Sequence, residues 1–236
     1  MKNVKALFID CDGVLYDKDK LSYHDMAVVA FGKTLETFGV SREEVDKKHI
    51  NLRKKGVRGL LNVALDVCKT RHVSFRDFAT TMAQNTNYSR IPTDKDMLNL
   101  LEKVGKKIPV YIVTNNTWIH LFHIIKCLNG GIPKQFIDLN VLPITIEDTL
   151  YDGVFHPKKV DGQFLSLCAQ TGKMPCDVLV LDDAEDVCVA AKAQGLQVQQ
   201  VQNPDQTKTV LRSIIHAGTK TKRAVSVRQA RGGSGR

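Results

Sequence analysis

The chain has 236 residues, 43% of them hydrophobic and 25% charged, with a formal net charge of +9. That balance is ordinary for a soluble globular protein, and the chain is long enough for one core domain with a smaller insertion; nothing in it forces disorder or a membrane. No apolar run approaches about 18 residues, and only Ala6-Leu7-Phe8-Ile9 separates Lys5 from Asp10, so neither a membrane span nor a signal peptide is expected and a cytoplasmic location is.

The charge is uneven. Residues 219–236 hold Lys220, Lys222, Arg223, Arg228, Arg231 and Arg236 and no acid, and nine less six leaves +3 for the rest. This segment ends in Gly232-Gly233-Ser234-Gly235 and reads as a disordered, solvated tail, with contact to nucleic acid or another acidic partner as the other reading. The cysteines (Cys11, Cys68, Cys127, Cys168, Cys176, Cys188) contain no C-x-x-C pair. They are expected to be reduced core residues.

Along the chain, Ala6-Leu7-Phe8-Ile9 is a short apolar run ending abruptly in Asp10-Cys11-Asp12-Gly13, as in a buried parallel strand with polar groups at its carboxyl end. From there the pattern is helical for some eighty residues. Ala27, Val28, Ala30, Phe31, Leu35 and Phe38 recur at helical spacing; Ser41 with Glu44 opens a second helix as a capping box. A third follows from Val57 to Cys68, and Ser74 caps a fourth over 75–84. Residues 18–90 therefore form an inserted all-α domain. A helix over 96–106 comes next, then a strand over 108–113 ending in Thr114-Asn115-Asn116. Further strands are expected at 136–142, 178–181 and 196–201, separated by helices over 117–128, 160–171, 184–194 and 205–216. The alternation predicts an α/β fold with a doubly wound parallel sheet, its core made of residues 1–17 and 91–218.

Four polar clusters fall at strand ends or loops. In the first, Asp10 and Asp12 are two acids one residue apart, each of which must be solvated, paired or placed on a cation. Asp10 suits a carboxylate nucleophile and Asp12 an acid/base beside it. In the second, Thr114 and Asn115 precede a helix whose N-terminal amides suit a phosphate; ordinary helix capping is the plainer reading. The third places Lys158 and Lys159 in a loop, where one lysine would offset phosphate charge. The fourth, Asp182-Asp183, ends a strand and would meet Asp10 across the sheet. Several carboxylates in one cleft call for a hard cation with oxygen ligands, Mg²⁺ above all.

In this order the four clusters resemble the haloacid-dehalogenase-like (HAD) hydrolase superfamily over residues 4 to about 202. The helical insertion resembles that superfamily's cap. The resemblance implies that Asp10 forms an aspartyl-phosphate and that Asp12 protonates the leaving oxygen and then activates water. Thr114 and Asn115 would hold phosphate oxygens, and Lys158 would stabilise the charge. Mg²⁺ would be held by Asp10, the Asp12 carbonyl and Asp183, with Asp182 acting through water. Phe164, six residues after Lys158, favours that lysine over Lys159, although the usual proline after the lysine is missing. Asp12 itself favours phosphate chemistry, since dehalogenases of the superfamily lack the second acid.

Leu15-Tyr16, the stretch Gly56-Val57-Arg58-Gly59-Leu60-Leu61 and Asn87-Tyr88 with Ile91-Pro92 resemble pyrimidine 5′-nucleotidases. They imply a pyrimidine nucleoside 5′-monophosphate read by Arg53 or Arg58; a solvated basic helix face is the plainer reading of those arginines. The expectation is a Mg²⁺-dependent phosphomonoesterase acting on a small phosphometabolite. A phosphotransferase or mutase on a sugar phosphate, and a non-enzymatic binder working through the basic tail, are the alternatives. His120 and Trp118 are expected to be structural.

Overall fold

A computed structural model describes residues 4–21, 23–41, 43, 44, 47, 57–151 and 154–231. Its centre is a five-stranded sheet built from β1 (Ala6–Ile9), β2 (Val110–Val113), β3 (Val141–Ile144), β6 (Val178–Asp182) and β7 (Gln197–Gln200). The strands run in the order β3-β2-β1-β6-β7, and every pairing is parallel. The chain winds outward from β1 through β2 to β3, then returns beside β1 as β6. The topological switch therefore lies between β1 and β6, and a crevice opens there at the carboxyl ends.

Side chains alternate across the strands and feed two cores. Leu7, Ile9, Val110, Ile112, Leu179 and Leu181 face one side. They pack there against α4 (Lys95–Gly105), α5 (Trp118–Leu128) and α8 (Pro204–Arg231). Ala6, Phe8, Tyr111, Val113, Val178 and Val180 face the other, against α6 (Gln163–Thr171) and α7 (Glu185–Ala193). Both faces being covered explains why β1 and β6 read as continuous apolar runs rather than alternating ones.

Between β1 and β2 comes a helical insertion: α1 (Tyr23–Thr37), α2 (Val57–Arg71) and α3 (Phe75–Asn85). It has its own small core of Phe31, Leu35, Val40, Ala64, Val67 and Phe78. Phe78 is its centre, edge-on to Phe31 at 5.6 Å and stacked on Phe38 at 5.7 Å. Ser74 caps α3 by accepting from the Asp77 amide at 3.0 Å, and Ser41 accepts from the Glu44 amide at 3.3 Å. Lys47 is helical as well, and the other residues after Glu44 in the helix expected there lie outside the described residues. A 3₁₀ turn, Tyr88–Arg90, returns the chain to α4.

Three elements differ from expectation. The apolar stretch 136–142 is not one strand: Ile137–Leu139 is a 3₁₀ turn, Asn140 takes a left-handed conformation (φ 52°), and β3 begins only at Val141. β3 is an edge strand and carries Pro143, which an edge tolerates. A short antiparallel pair, β4 (Leu150–Tyr151) with β5 (Val154–Phe155), delivers the chain to the Lys158 loop and has no strong sequence signal. The backbone of α8 stays helical to Arg231, beyond residue 218 where the sequence pattern ends the core.

Candidate active site

β1 and β6 pair in register, Ile9 beside Leu181, and the Asp10 amide donates to the Leu181 carbonyl at 2.9 Å. Asp10 and Asp182 are thus neighbours at the switch point. Lys158, only 5% exposed, reaches between them, its Nζ 2.6 Å from Asp10 Oδ1 and 2.7 Å from Asp182 Oδ2. Its backbone amide donates to Asn115 Oδ1 at 3.2 Å, which fixes the lysine loop to the end of β2. Lys159 points the other way and pairs with exposed Asp186.

The two acids of the first cluster have opposite surroundings. Burial pushes Asp10 up to about 7, with Lys158 pulling it down and Asp182 and Asp12 adding to the rise. Burial acts in the same direction on Asp12, but His120, Tyr16 and Asn116 together outweigh it and hold Asp12 down to about 2. His120 Nε2 lies 3.1 Å from Asp12 Oδ1, the same oxygen that accepts from the Tyr16 hydroxyl, and Asn116 Nδ2 donates to Oδ2. Lys158 stays protonated because its two carboxylates outweigh the cost of burying it.

Thr114 is buried at the end of β2, and its hydroxyl accepts from the Asn116 amide at 3.1 Å. The helix terminus that follows is already engaged: Thr117 Oγ1 accepts from the His120 amide at 3.2 Å, and both Glu147 carboxylate oxygens lie 3.1 Å from the Trp118 amide. Two of the α5 amides expected to hold a phosphate, those of Trp118 and His120, are thus occupied within the fold. Trp118, expected in the core, is 45% exposed and stacks on Phe122.

Gly13 follows with φ +85°, and a Cβ there would lie 2.6 Å from Asp183 Oδ2. Only glycine allows that approach. Asp183 also pairs with Lys18. The candidate ligand oxygens of Asp10, Asp182 and Asp183 all lie within 4.8 Å of one another. Counted with Asp12, four carboxylates face the two ammonium groups of Lys158 and Lys18. The surplus negative charge and all-oxygen donors fit a hard cation. Cys11 is buried in the main core, and burial pushes its thiol well above the usual range.

Asp10, Asp12, Thr114, Asn115, Lys158, Asp182 and Asp183 therefore converge on one crevice. Arg53 lies outside the described residues, as does the side chain of Arg58. His120, Tyr16, Asn116 and Lys18 complete the site. Tyr16 and Asn116 stand next to the motif residues in sequence, whereas nothing local marks His120 or Lys18.

No protein-family model and no curated protein matches this sequence. Solved structures do. CbbY of Rhodobacter sphaeroides in complex with phosphate superposes with a TM-score of 0.53 at 16% identity, over 85% of this chain and 87% of that one. A variant of CbbY in complex with xylulose-1,5-bisphosphate gives 0.51 at 15% identity, with the same coverage of both chains. The fold is that of CbbY. A HAD-superfamily hydrolase of Geobacter sulfurreducens is also similar, with a TM-score of 0.49 at 16% identity over 85% of this chain and 91% of that one. Among the described residues no helix is long and apolar enough to cross a membrane.

Proposed function

We propose that this chain is a HAD-like, Mg²⁺-dependent phosphomonoesterase working through an aspartyl-phosphate on Asp10. The observation that carries the reading is Lys158, a buried ammonium bridging Asp10 and Asp182 at the topological switch. A buried lysine that binds two carboxylates with so little exposure is costly as scaffolding and apt for orienting a nucleophile against a phosphate dianion.

In the proposed sequence an oxygen of the ionised form of Asp10 attacks phosphorus as the bond to the substrate oxygen breaks. Asp12 gives that oxygen its proton; the anionic phosphate arriving beside Asp12 raises its proton affinity from the resting value. In the second half Asp12 takes a proton from water, which attacks the acyl phosphate and releases inorganic phosphate, restoring Asp10. Thr114 and Asn115 contact phosphate oxygens, and Lys158 offsets their charge. Asp10, the Asp12 carbonyl, Asp183 and, through water, Asp182 would hold Mg²⁺, which supplies further charge stabilisation when bound.

The insertion, residues 18–90, serves as the cap that selects the substrate. Its sequence matches favour a pyrimidine nucleoside 5′-monophosphate, with Arg53 or Arg58 at the substrate; the likeness to CbbY brings a phosphorylated sugar in as the second class. The test is phosphate release from nucleoside monophosphates, sugar phosphates and phosphoglycolate, with Mg²⁺ or with EDTA, for wild type and Asp10→Asn. Metal-dependent turnover that Asp10→Asn abolishes supports the reading, and the best substrate fixes the class. Phosphate release only in the presence of a second sugar phosphate would mark a phosphotransferase instead. Turnover by Asp10→Asn would remove the nucleophile from the scheme.

A further inference from the structure

Asp12 does not simply sit in a polar cleft; it is the end of a buried chain of side chains. His120 Nε2 lies 3.1 Å from Asp12 Oδ1, and His120 Nδ1 lies 3.0 Å from the Tyr88 hydroxyl. His120 and Tyr88 are 5% and 8% exposed. An ionised carboxylate only accepts hydrogen bonds, so Nε2 must carry a proton, and Tyr88 meets the other nitrogen. The ring is fixed at both ends. Its backbone is fixed as well, by the Thr117 cap at the start of α5. Tyr88 in turn lies flat on His123, centroids 4.7 Å apart with 6° between planes, one helical turn beyond His120.

Tyr16 and Asn116, the other partners of Asp12, stand on the loops that carry the site itself. His120 is different, because it reaches Asp12 from a helix packed in the core. A histidine needed only for packing would find a backbone partner. This one commits both nitrogens to side chains, one of them the proposed acid/base and the other in the 3₁₀ turn where the helical insertion rejoins the sheet domain.

We infer that His120 is a positioning residue that holds the Asp12 carboxylate in place for proton transfer, and that Tyr88 anchors it from the exit of the insertion. The inference rests on the phosphomonoesterase reading. Proton transfer demands placement within a fraction of an ångström. Losing the bond to Oδ1 removes one of the two partners that oxygen has among the described residues and frees the carboxylate to turn.

The test compares two leaving groups. An alkyl phosphate needs a proton on its departing oxygen, whereas nitrophenolate leaves without one. For wild type, His120→Ala, His120→Gln and Tyr88→Phe, kcat/KM is measured with p-nitrophenyl phosphate and with the alkyl phosphate that the wild type turns over fastest, alongside a melting curve for each variant. General acid catalysis contributes about 10²- to 10⁴-fold, and mispositioning removes part of it. His120→Ala is expected to lose about 10- to 100-fold on the alkyl phosphate and far less on the aryl one. His120→Gln, whose amide can stand in for Nε2, recovers most of the loss, and Tyr88→Phe shows the same selectivity in weaker form. Equal losses on both substrates, or a glutamine variant as poor as the alanine one while still folded, would overturn the inference and leave the phosphatase intact. A wild type inert on every phosphate, or an active Asp10→Asn, would overturn the phosphatase reading and this inference with it.

Discussion

Asp10 and Asp12 are two residues apart on one loop, yet the two sides of the crevice treat them in opposite ways. On the Asp10 side the partners are charged: Lys158 in front, Asp182 across the strand, and the candidate cation cluster around them. Burial there outweighs the lysine, and the carboxyl is pushed up to about 7. On the Asp12 side the partners are His120, Tyr16 and Asn116, donors aimed at its two oxygens, and the carboxyl is held down to about 2. Identical side chains are thereby given opposite resting proton affinities by surroundings alone. One half of the crevice is organised around charge that a substrate and a cation would complete. The other half is complete already.

The largest effect that would break this comparison is on turnover. Asp10→Asn is expected to take phosphate release to background while leaving the fold intact. Its stability has a predictable sign. A carboxyl whose folded value is raised from 3.8 to about 7 favours the native state in its protonated form, and that advantage disappears as pH rises toward and through 7. Without divalent ions, the melting midpoint of Asp10→Asn relative to wild type should therefore rise between pH 5 and pH 8. Added Mg²⁺ should stabilise the wild type more than the variant. A pH-independent gap would show that Lys158 has already cancelled the penalty.

The next effect separates adjacent lysines. Lys158→Met leaves Asp10 and Asp182 buried together without their cation and should cost about 3–5 kcal/mol in denaturant unfolding. Lys159→Met breaks only an exposed pair with Asp186 and should stay within about 0.5 kcal/mol. Similar losses for both would mean that Asp10 and Asp182 are solvated rather than bridged.

What made this site legible in sequence was abruptness. β1 and β6 are apolar until they stop in paired acids, because both sheet faces are covered and only the carboxyl edge admits charge. The lysine and the threonine were legible only jointly, as members of an order along the chain. Three features were not legible. His120 sits in an apolar helical pattern, and whether a histidine there meets a backbone carbonyl or an aspartate far away in sequence depends on tertiary packing. The split of 136–142 into a turn and an edge strand hangs on one left-handed residue, Asn140, inside an apolar run. The engagement of the Trp118 amide at the start of α5 depends on Glu147, which lies beyond β3 and is brought back by the fold.

A smaller effect tests the Asp12 side directly. A carboxyl lowered from 3.8 to about 2 stabilises the native state above pH 3.8, and that contribution disappears as pH falls through 2. Its size is about 2 kcal/mol. Urea unfolding of wild type and Asp12→Asn should therefore show a stability difference that shrinks by this amount between pH 5 and pH 2. If the difference is flat, the three donors orient Asp12 without favouring its charge.

The smallest effect concerns Gly13, and it is sharpened by a second glycine. Gly13 and Gly162 both have left-handed backbones, φ +85° and +82°, but a Cβ at Gly13 would meet Asp183 at 2.6 Å, whereas at Gly162 it would meet nothing within 4 Å. Alanine at either position should cost about 1–2 kcal/mol for the backbone alone. Only Gly13→Ala should also move Asp183, and with it weaken binding of Mn²⁺ as a spectroscopic probe of the cation cluster. Gly162→Ala is the control for strain without displacement. If both variants bind Mn²⁺ as the wild type does, Asp183 can yield to the methyl group without leaving the cluster. If only Gly13→Ala binds weakly, the close approach of Gly13 is what keeps the second pair of acids turned toward the first.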